Sequence, residues 1–224
     1  GSVTEAVYVP SSATDDGELR VTLDPSLAAG LVEGLTYLEH FPYECTEQTV
    51  SRFLPNVVTY AALKELGMPR PDLDVKLPQQ VGVGLQRIYA QQHVDGGWGW
   101  WKQGDSDHFM TAYVVWGFAL AKEAGLDVKQ EAMDRGAAYL NVELVEEENA
   151  PDMQSWMLHG VSRYRSVMKQ APHEFETKAL ENIFRNRDQL NAYTRALLAL
   201  AAHQMGDAAK AKTLVDNLRN GVKR

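Results

Sequence analysis

The sequence has a single cysteine, fewer basic than acidic residues and no long apolar run, and each shortage excludes a class of protein. One cysteine, Cys45, rules out a disulfide framework and any zinc site built from several cysteines. The 22 Lys and Arg against 30 Asp and Glu leave a net charge of −8, which argues against a protein that binds nucleic acid through its phosphates. No apolar stretch approaches the roughly 20 residues of a membrane-spanning helix, so we expect no direct membrane span.

The chain also lacks an initiator methionine. It begins Gly1-Ser2, which we interpret as an expression scar, so we expect the remainder to be a piece of a longer protein. Its length of 224 residues suffices for one large domain with a buried core.

The first two dozen residues differ in pattern from the rest. Residues 7–9 and 19–23 alternate like strands, and the turn-rich stretch 11–17 separates them. We therefore predict a short β-rich segment at 1–24, belonging to a neighbouring domain, and a helical domain at 25–224.

Two kinds of helix alternate along the helical part. Residues 111–121 and 192–202 are apolar around nearly the whole circumference, which predicts helices buried on all sides. Residues 130–145 and 207–218 carry one apolar stripe, which predicts an outer layer. The alternation indicates stacked helical hairpins in an all-α fold, either an α/α toroid or a straight superhelical solenoid.

This layering predicts where functional groups gather. Alternate helices run parallel, so the inner helices begin at the same end of the bundle, where their dipoles make the potential positive. The stretches that enter those helices are 42–48, 93–110, 150–155 and 188–192.

The first entrance carries the most informative motif. Residues 42–48 are Pro-Tyr-Glu-Cys-Thr-Glu-Gln, Pro-Asn follows at 55–56, and Asp-Gly-Gly-Trp-Gly-Trp-Trp stands at 95–101. Together these resemble the thioester domain of the α2-macroglobulin and complement C3 superfamily, most of all its bacterial branch. The resemblance implies an α/α toroid, closed by six inner helices in the family.

We count five inner helices in this chain and therefore predict an incomplete ring. They are expected to begin near residues 47, 79, 110, 153 and 191. The proline-rich stretch 68–78 is interpreted as a connecting segment.

The chemistry of the motif can be argued from spacing. Residues three apart at a helix start lie on one face, about 5–6 Å apart, so the Cys45 sulfur can reach the side-chain carbonyl of Gln48. Attack there expels ammonia and leaves an internal thioester, an acyl group that a lysine amine or a hydroxyl can take up. The alternative is that Cys45 is an unreactive buried thiol.

A histidine partner is harder to assign. The resemblance implies a helper histidine in a loop ahead of an inner helix in members that react with hydroxyls, but residues 146–153 contain none, which favours amines. His108, at an inner-helix entrance, is the candidate, with a solvated cap partner as its alternative. For His159, which falls in the middle of a predicted helix, we expect a hydrogen-bonded core position.

Four further residues are candidate binding groups. Glu47 follows the cysteine and is expected to cap helix N–H groups. Tyr43, Trp100 and Trp101 are expected to shield the thioester or touch a target, with a packed turn as the alternative for the two tryptophans.

The resemblance implies a bacterial α2-macroglobulin-like, broad-spectrum protease inhibitor that reacts once and is not an enzyme. It implies proteases and the other domains of the parent as partners, no cofactor or metal, and a periplasmic or extracellular location with a lipid anchor as one form. Two alternatives stay open: a binding module without a formed thioester, and a toroid enzyme with paired carboxylates. Candidates for such carboxylates are Asp95, Asp105, Asp107 and Asp152.

Overall fold

The computed structural model describes residues 45–67 and 71–221, together with Thr4, Ala6 and Tyr8. Over these residues the regular structure is helical throughout. The helices are α1 (Thr46–Glu65), α2 (Pro71–Gln91), α3 (His108–Glu123), α4 (Gln130–Glu146), α5 (Pro151–Met168), α6 (Glu174–Arg185), a 3-10 turn (Arg187–Gln189), α7 (Ala192–Gln204) and α8 (Ala208–Gly221).

The helices form two layers. In the inner layer α1 packs on α3, α3 on α5 and α5 on α7. In the outer layer α2 packs on α1, α4 on α3 and α5, α6 on α4 and α5, and α8 on α7. The predicted stacking of inner and outer helices is thus confirmed. Within the described part of the chain the inner row is an arc, because α1 and α7 do not pack against each other.

Apolar patterning accounts for both layers. The stripe of α4, consisting of Met133, Ala137, Leu140 and Leu144, is fully buried, as the sequence predicts for an outer helix. Inner helices pack more closely: a Cβ on Gly160 of α5 would lie 2.8 Å from a backbone oxygen of α3, so only glycine fits there.

The prediction for one inner helix is wrong. The helix expected to begin near residue 79 begins at Pro71 and belongs to the outer layer, so the described residues hold four inner helices. Pro71 and Pro78 do not mark a connecting segment, because both lie in α2 and Pro71 suits its first helical position. Pro78 is held inside the helix, where burial of the neighbouring Leu77 against Tyr60 and Leu63 offsets its cost.

Helix α7 also departs from its pattern. The sequence predicts burial on all sides, yet the side chains of Tyr193 and Leu200 are exposed. The reason is its place in the row: among the described helices, α7 has an inner neighbour on one side only.

Two predictions concern residues outside the described ranges. The β-rich segment at 1–24 and its boundary with the helical domain stay predictions, as does any role of Tyr43. Among the helices that the model describes, none is both long and apolar enough to cross a bilayer.

Candidate functional site

The entrances of the inner helices converge at one end of the bundle, as the layering predicts. Hydrogen bonds join neighbouring entrances in pairs: Thr46 N to Trp100 O at 3.0 Å, Trp156 Nε1 to Phe109 O at 3.2 Å, and Asn191 Nδ2 to Asp152 Oδ1 at 3.1 Å.

Cys45 is the N-cap residue of α1. Its backbone is extended (φ −68°, ψ 166°), and its Sγ accepts a hydrogen bond from the backbone N–H of Gln48 at 3.4 Å. Because the residue is only 6% exposed, the sulfur lies against the first turn of the helix and is largely shielded from solvent.

Gln48 completes the pair that the sequence predicts. Its side-chain oxygen Oε1 is buried and has no hydrogen-bond partner in the described structure. A buried amide oxygen normally has a donor, and leaving it without one costs free energy. A thioester carbonyl is a poorer acceptor than an amide, so this environment would suit a thioester carbonyl better than an amide.

Two threonines, whose roles the sequence did not reveal, fix the entrance of α1. Thr46 is fully buried, its hydroxyl donates to Gln91 Oε1 at 2.6 Å, and its N–H bonds the loop carbonyl of Trp100. Thr49 donates its hydroxyl to the carbonyl of Cys45 at 2.9 Å. Cys45 is thereby anchored to α2 and to the 92–107 loop.

Glu47 does not cap helix N–H groups as expected. Its Oε1 accepts a hydrogen bond from Ser51 Oγ at 2.6 Å, and Ser51 lies 3.0 Å from the hydroxyl of Tyr113 on α3. Burial is the main cause that raises the pKa of Tyr113 above its usual value, so this hydroxyl stays protonated at neutral pH. The i,i+4 spacing of Glu47 and Ser51 in the sequence could have indicated that they are in contact. No feature of the sequence indicated the contact of Ser51 with Tyr113.

The tryptophan-rich stretch is a hydrogen-bonded turn. The ring of Trp98 is fully buried and donates to the carbonyl of Ile88 at 2.8 Å, and its backbone bonds Thr111. His93 closes the turn through Ser106 at 2.9 Å. The loop is therefore a firm support for α1.

Trp100 and Trp101 contribute to this support through their main chain. Trp100 O accepts from Thr46, and Trp101 O lies 3.2 Å from His93 Nε2. Both rings are half-exposed, which leaves a shielding or docking role for them as a prediction.

His108 faces away from the predicted pair. Its Nδ1 lies 2.6 Å from Glu147 and its Nε2 lies 3.1 Å from Glu143, both at the C-terminal end of α4. Both ring nitrogens contact carboxylates and not Cys45 or Gln48, so the structure does not bring His108 into the site.

His159 lies in the middle of α5 and is buried, as expected, but the expected hydrogen bond is incomplete. Its Nδ1 has no partner in the described structure. The ring packs between Trp116 and Trp156, with centroids 5.9 and 6.1 Å away. Burial, aided by Arg163, lowers the pKa of His159 to about 4, so the ring is neutral at pH 7.

Three of the four carboxylates offered for an enzyme site, those of Asp95, Asp107 and Asp152, accept hydrogen bonds that hold a turn, a helix cap and a contact between helix entrances. Asp95 accepts from Gly97 N, Asp107 caps α3, and Asp152 accepts from Asn191. Across the ranges that the model describes, there is no group of three or more His, Cys, Asp or Glu arranged to hold a metal.

This fold and this cysteine–glutamine pair define a class of protein. The family model described as the A-macroglobulin TED domain matches residues 19–149, so the chain belongs to the α-macroglobulin thioester-domain family. The predicted resemblance and the α/α toroid fold are confirmed.

Several proteins similar to this chain are bacterial α2-macroglobulins. The chain is 40% identical over 121 residues to α2-macroglobulin of Thermotoga maritima, covering 54% of the chain and 7% of the relative. It is 29% identical over 216 residues to α2-macroglobulin of Escherichia coli K12, covering 92% and 13%. The crystal structure of Salmonella α2-macroglobulin reacted with methylamine superposes with a TM-score of 0.67 at 26% identity, covering 90% of this chain and 13% of that one. The chain thus spans about a tenth of these proteins.

Proposed function

We propose that the chain is the thioester domain of a bacterial α2-macroglobulin-like protease inhibitor, and that Cys45 and Gln48 form its internal thioester. The observation that carries this proposal is the position of the Cys45 sulfur, 3.4 Å from the backbone nitrogen of Gln48 at the start of a buried helix. The buried side-chain oxygen of Gln48, which has no hydrogen-bond partner in the described structure, supports the same pairing.

Formation of the bond is an acyl transfer within one helical turn. The sulfur attacks the side-chain carbonyl carbon of Gln48, the carbon–nitrogen bond breaks, and the amide nitrogen leaves as ammonia with the thiol proton. The rigid entrance holds both groups in place, which makes this unimolecular step feasible without a separate enzyme.

The second transfer joins a target to the chain. A lysine amine of an attacking protease displaces Cys45 and becomes amide-bonded to Gln48, so each molecule reacts once and acts as a trap rather than as an enzyme. The crystallised Salmonella α2-macroglobulin is a protein reacted with methylamine, a small amine of the same class.

The bacterial α2-macroglobulin relatives support a proposal about the parent protein. We infer that the parent is a larger macroglobulin, periplasmic or extracellular, whose other domains are this domain's permanent partners and whose protease targets are its covalent ones. A lipid anchor on that parent is part of the same proposal.

Intact mass of freshly prepared protein tests the pairing. A formed thioester makes the chain lighter by one ammonia, and methylamine converts it to a stable adduct that peptide mapping places on Gln48. Gln48→Glu removes the leaving ammonia and abolishes the adduct, whereas Gln130→Glu, a matched change at the start of α4, leaves it intact. Trypsin added to the reactive protein should give a covalent complex that withstands denaturation. A fresh preparation with a free thiol and an unaltered Gln48 amide would refute the proposal.

A further inference from the structure

A carboxylate lies in the same helical turn as the reactive pair and is held by a chain of hydroxyls. Glu47 stands between Cys45 and Gln48 in the sequence, at the second position of α1. Its Oε1 accepts from Ser51 Oγ at 2.6 Å, and Ser51 Oγ is 3.0 Å from the Tyr113 hydroxyl on the neighbouring inner helix.

Each hydroxyl has one hydrogen to donate, and this fixes the direction of these hydrogen bonds. The serine hydroxyl has one hydrogen, which goes to Glu47, so the Tyr113 hydroxyl is the donor to Ser51. Burial and the nearby Glu47 charge both raise the pKa of Tyr113, which keeps that donor protonated. The relay therefore ends on Glu47 as an acceptor that is held in one orientation.

Reaction with an amine requires such an acceptor. A lysine side chain has an ordinary pKa near 10.4, so it arrives mostly protonated, and even a neutral amine must lose a proton once it has attacked a carbonyl. In the described structure His108 contacts two glutamates at the C-terminal end of α4, whereas Glu47 is the carboxylate in the turn that carries Cys45 and Gln48.

We propose that Glu47 is the proton acceptor for aminolysis of the thioester, and that Ser51 and Tyr113 are positioning residues that aim it. This inference rests on the proposed thioester and concerns the step in which a primary amine, arriving as a cation, attacks it. The Glu47 charge attracts the ammonium group and takes its proton.

The step balances as follows. The amine nitrogen attacks the Gln48 carbonyl carbon, the carbon–sulfur bond breaks, and its electron pair leaves on the Cys45 sulfur. Before the attack the ammonium group gives one proton to the Glu47 carboxylate, which releases it to water; after the attack a second proton passes from nitrogen to the same carboxylate and from there to the thiolate. The products are an amide on Gln48, a free Cys45 thiol and a regenerated carboxylate.

The test measures the second-order rate of methylamine incorporation in chains whose mass shows an intact thioester. We expect Glu47→Gln to lower the rate about tenfold or more. We expect Ser51→Ala and Tyr113→Phe each to lower the rate about three- to tenfold, because each variant loses one hydrogen bond that orients Glu47. Ser51→Thr keeps the hydroxyl and should restore most of the rate, which a merely structural loss would not predict.

A matched control is available in α4. Glu131 also occupies the second position of its helix and is exposed, so Glu131→Gln makes the same charge change away from the thioester and should leave the rate unchanged. Rates within twofold of the parent for Glu47→Gln, or for both Ser51→Ala and Tyr113→Phe, with the thioester intact, would overturn this inference alone. A parent chain that never loses ammonia would overturn the proposed function and this inference with it.

Discussion

The entrances of α1 and α7 share one local geometry and differ in what it is used for. In both, the N-cap side chain accepts a hydrogen bond from the N–H three residues on: Cys45 Sγ from Gln48 at 3.4 Å, and Asn191 Oδ1 from Thr194 at 2.9 Å. An oxygen at 2.9 Å is a strong cap, whereas a thiol sulfur is a weak acceptor. The entrance of α1 thus has the weaker cap, at the position where the proposed thioester requires a cysteine.

The largest effect is expected for Cys45→Ser, which separates the role of residue 45 as a helix cap from its role in the proposed thioester. Cys45→Ser places a better acceptor at the cap but cannot form a thioester. We therefore expect the variant to keep its full mass, without loss of ammonia, and to incorporate no methylamine. The free energy of unfolding should hold or rise by up to about 1 kcal/mol. Mass spectrometry and urea unfolding check the two halves.

Cys45→Ala is the matched control, since it loses both the thioester and the cap. Should Cys45→Ser be much less stable than Cys45→Ala, the comparison of the two entrances would be wrong.

A fall in pH should weaken the fold through His159, which lies away from both caps. The pKa of His159 is about 4 in the folded chain and near 6.5 when unfolded, so the unfolded chain binds the proton more readily between these values. Stability that is fully present above pH 6.5 is therefore lost as pH falls towards 4, by about 3 kcal/mol. Unfolding midpoints in urea across this window measure the slope.

His159→Phe keeps an aromatic ring beside Trp116 and Trp156 but cannot titrate. The difference between parent and variant isolates the histidine from the carboxylates that titrate in the same range. An equal slope in both chains would show that His159 is not its source.

Removal of the side-chain oxygen that caps α7 should have a smaller effect, and one on stability alone. Asn191→Ala removes the bond to Thr194 and should cost about 1 kcal/mol of unfolding free energy without changing the thioester yield. Asn191→Ser retains an acceptor and should recover most of that loss. A fall in thioester yield for the alanine variant would mean that the two entrances are energetically coupled.

The smallest effect is expected at the half-exposed rings beside α1. Trp100 supports Thr46 through its carbonyl, which Trp100→Ala preserves, so we expect the free energy of unfolding to change by about 1 kcal/mol or less. Trp101→Ala is the companion variant. Thioester lifetime in water, followed by mass, then reports whether the rings shield the bond: an unchanged lifetime in both variants would contradict the shielding prediction.

Prediction from sequence succeeded where the governing geometry is local. The stripe of α4 indicated an outer helix, and the spacing of Cys45 and Gln48 placed both on the first turn of α1, since helical periodicity is a property of a few consecutive residues. It failed for α2 because Pro78 was interpreted as part of a connecting segment, whereas the packing of Leu77 overrides that local preference.

The sequence by itself therefore determined the helical layers, the position of Cys45 and Gln48 at one helix start, and the family. The tertiary structure decided which distant groups meet: Tyr113 joins Ser51, Thr46 joins Gln91 and Trp100, and His108 turns to the carboxylates of α4. These partners are 35 to 62 residues apart in the chain. Their contacts depend on how whole helices pack, and a pattern of neighbouring residues does not encode that arrangement.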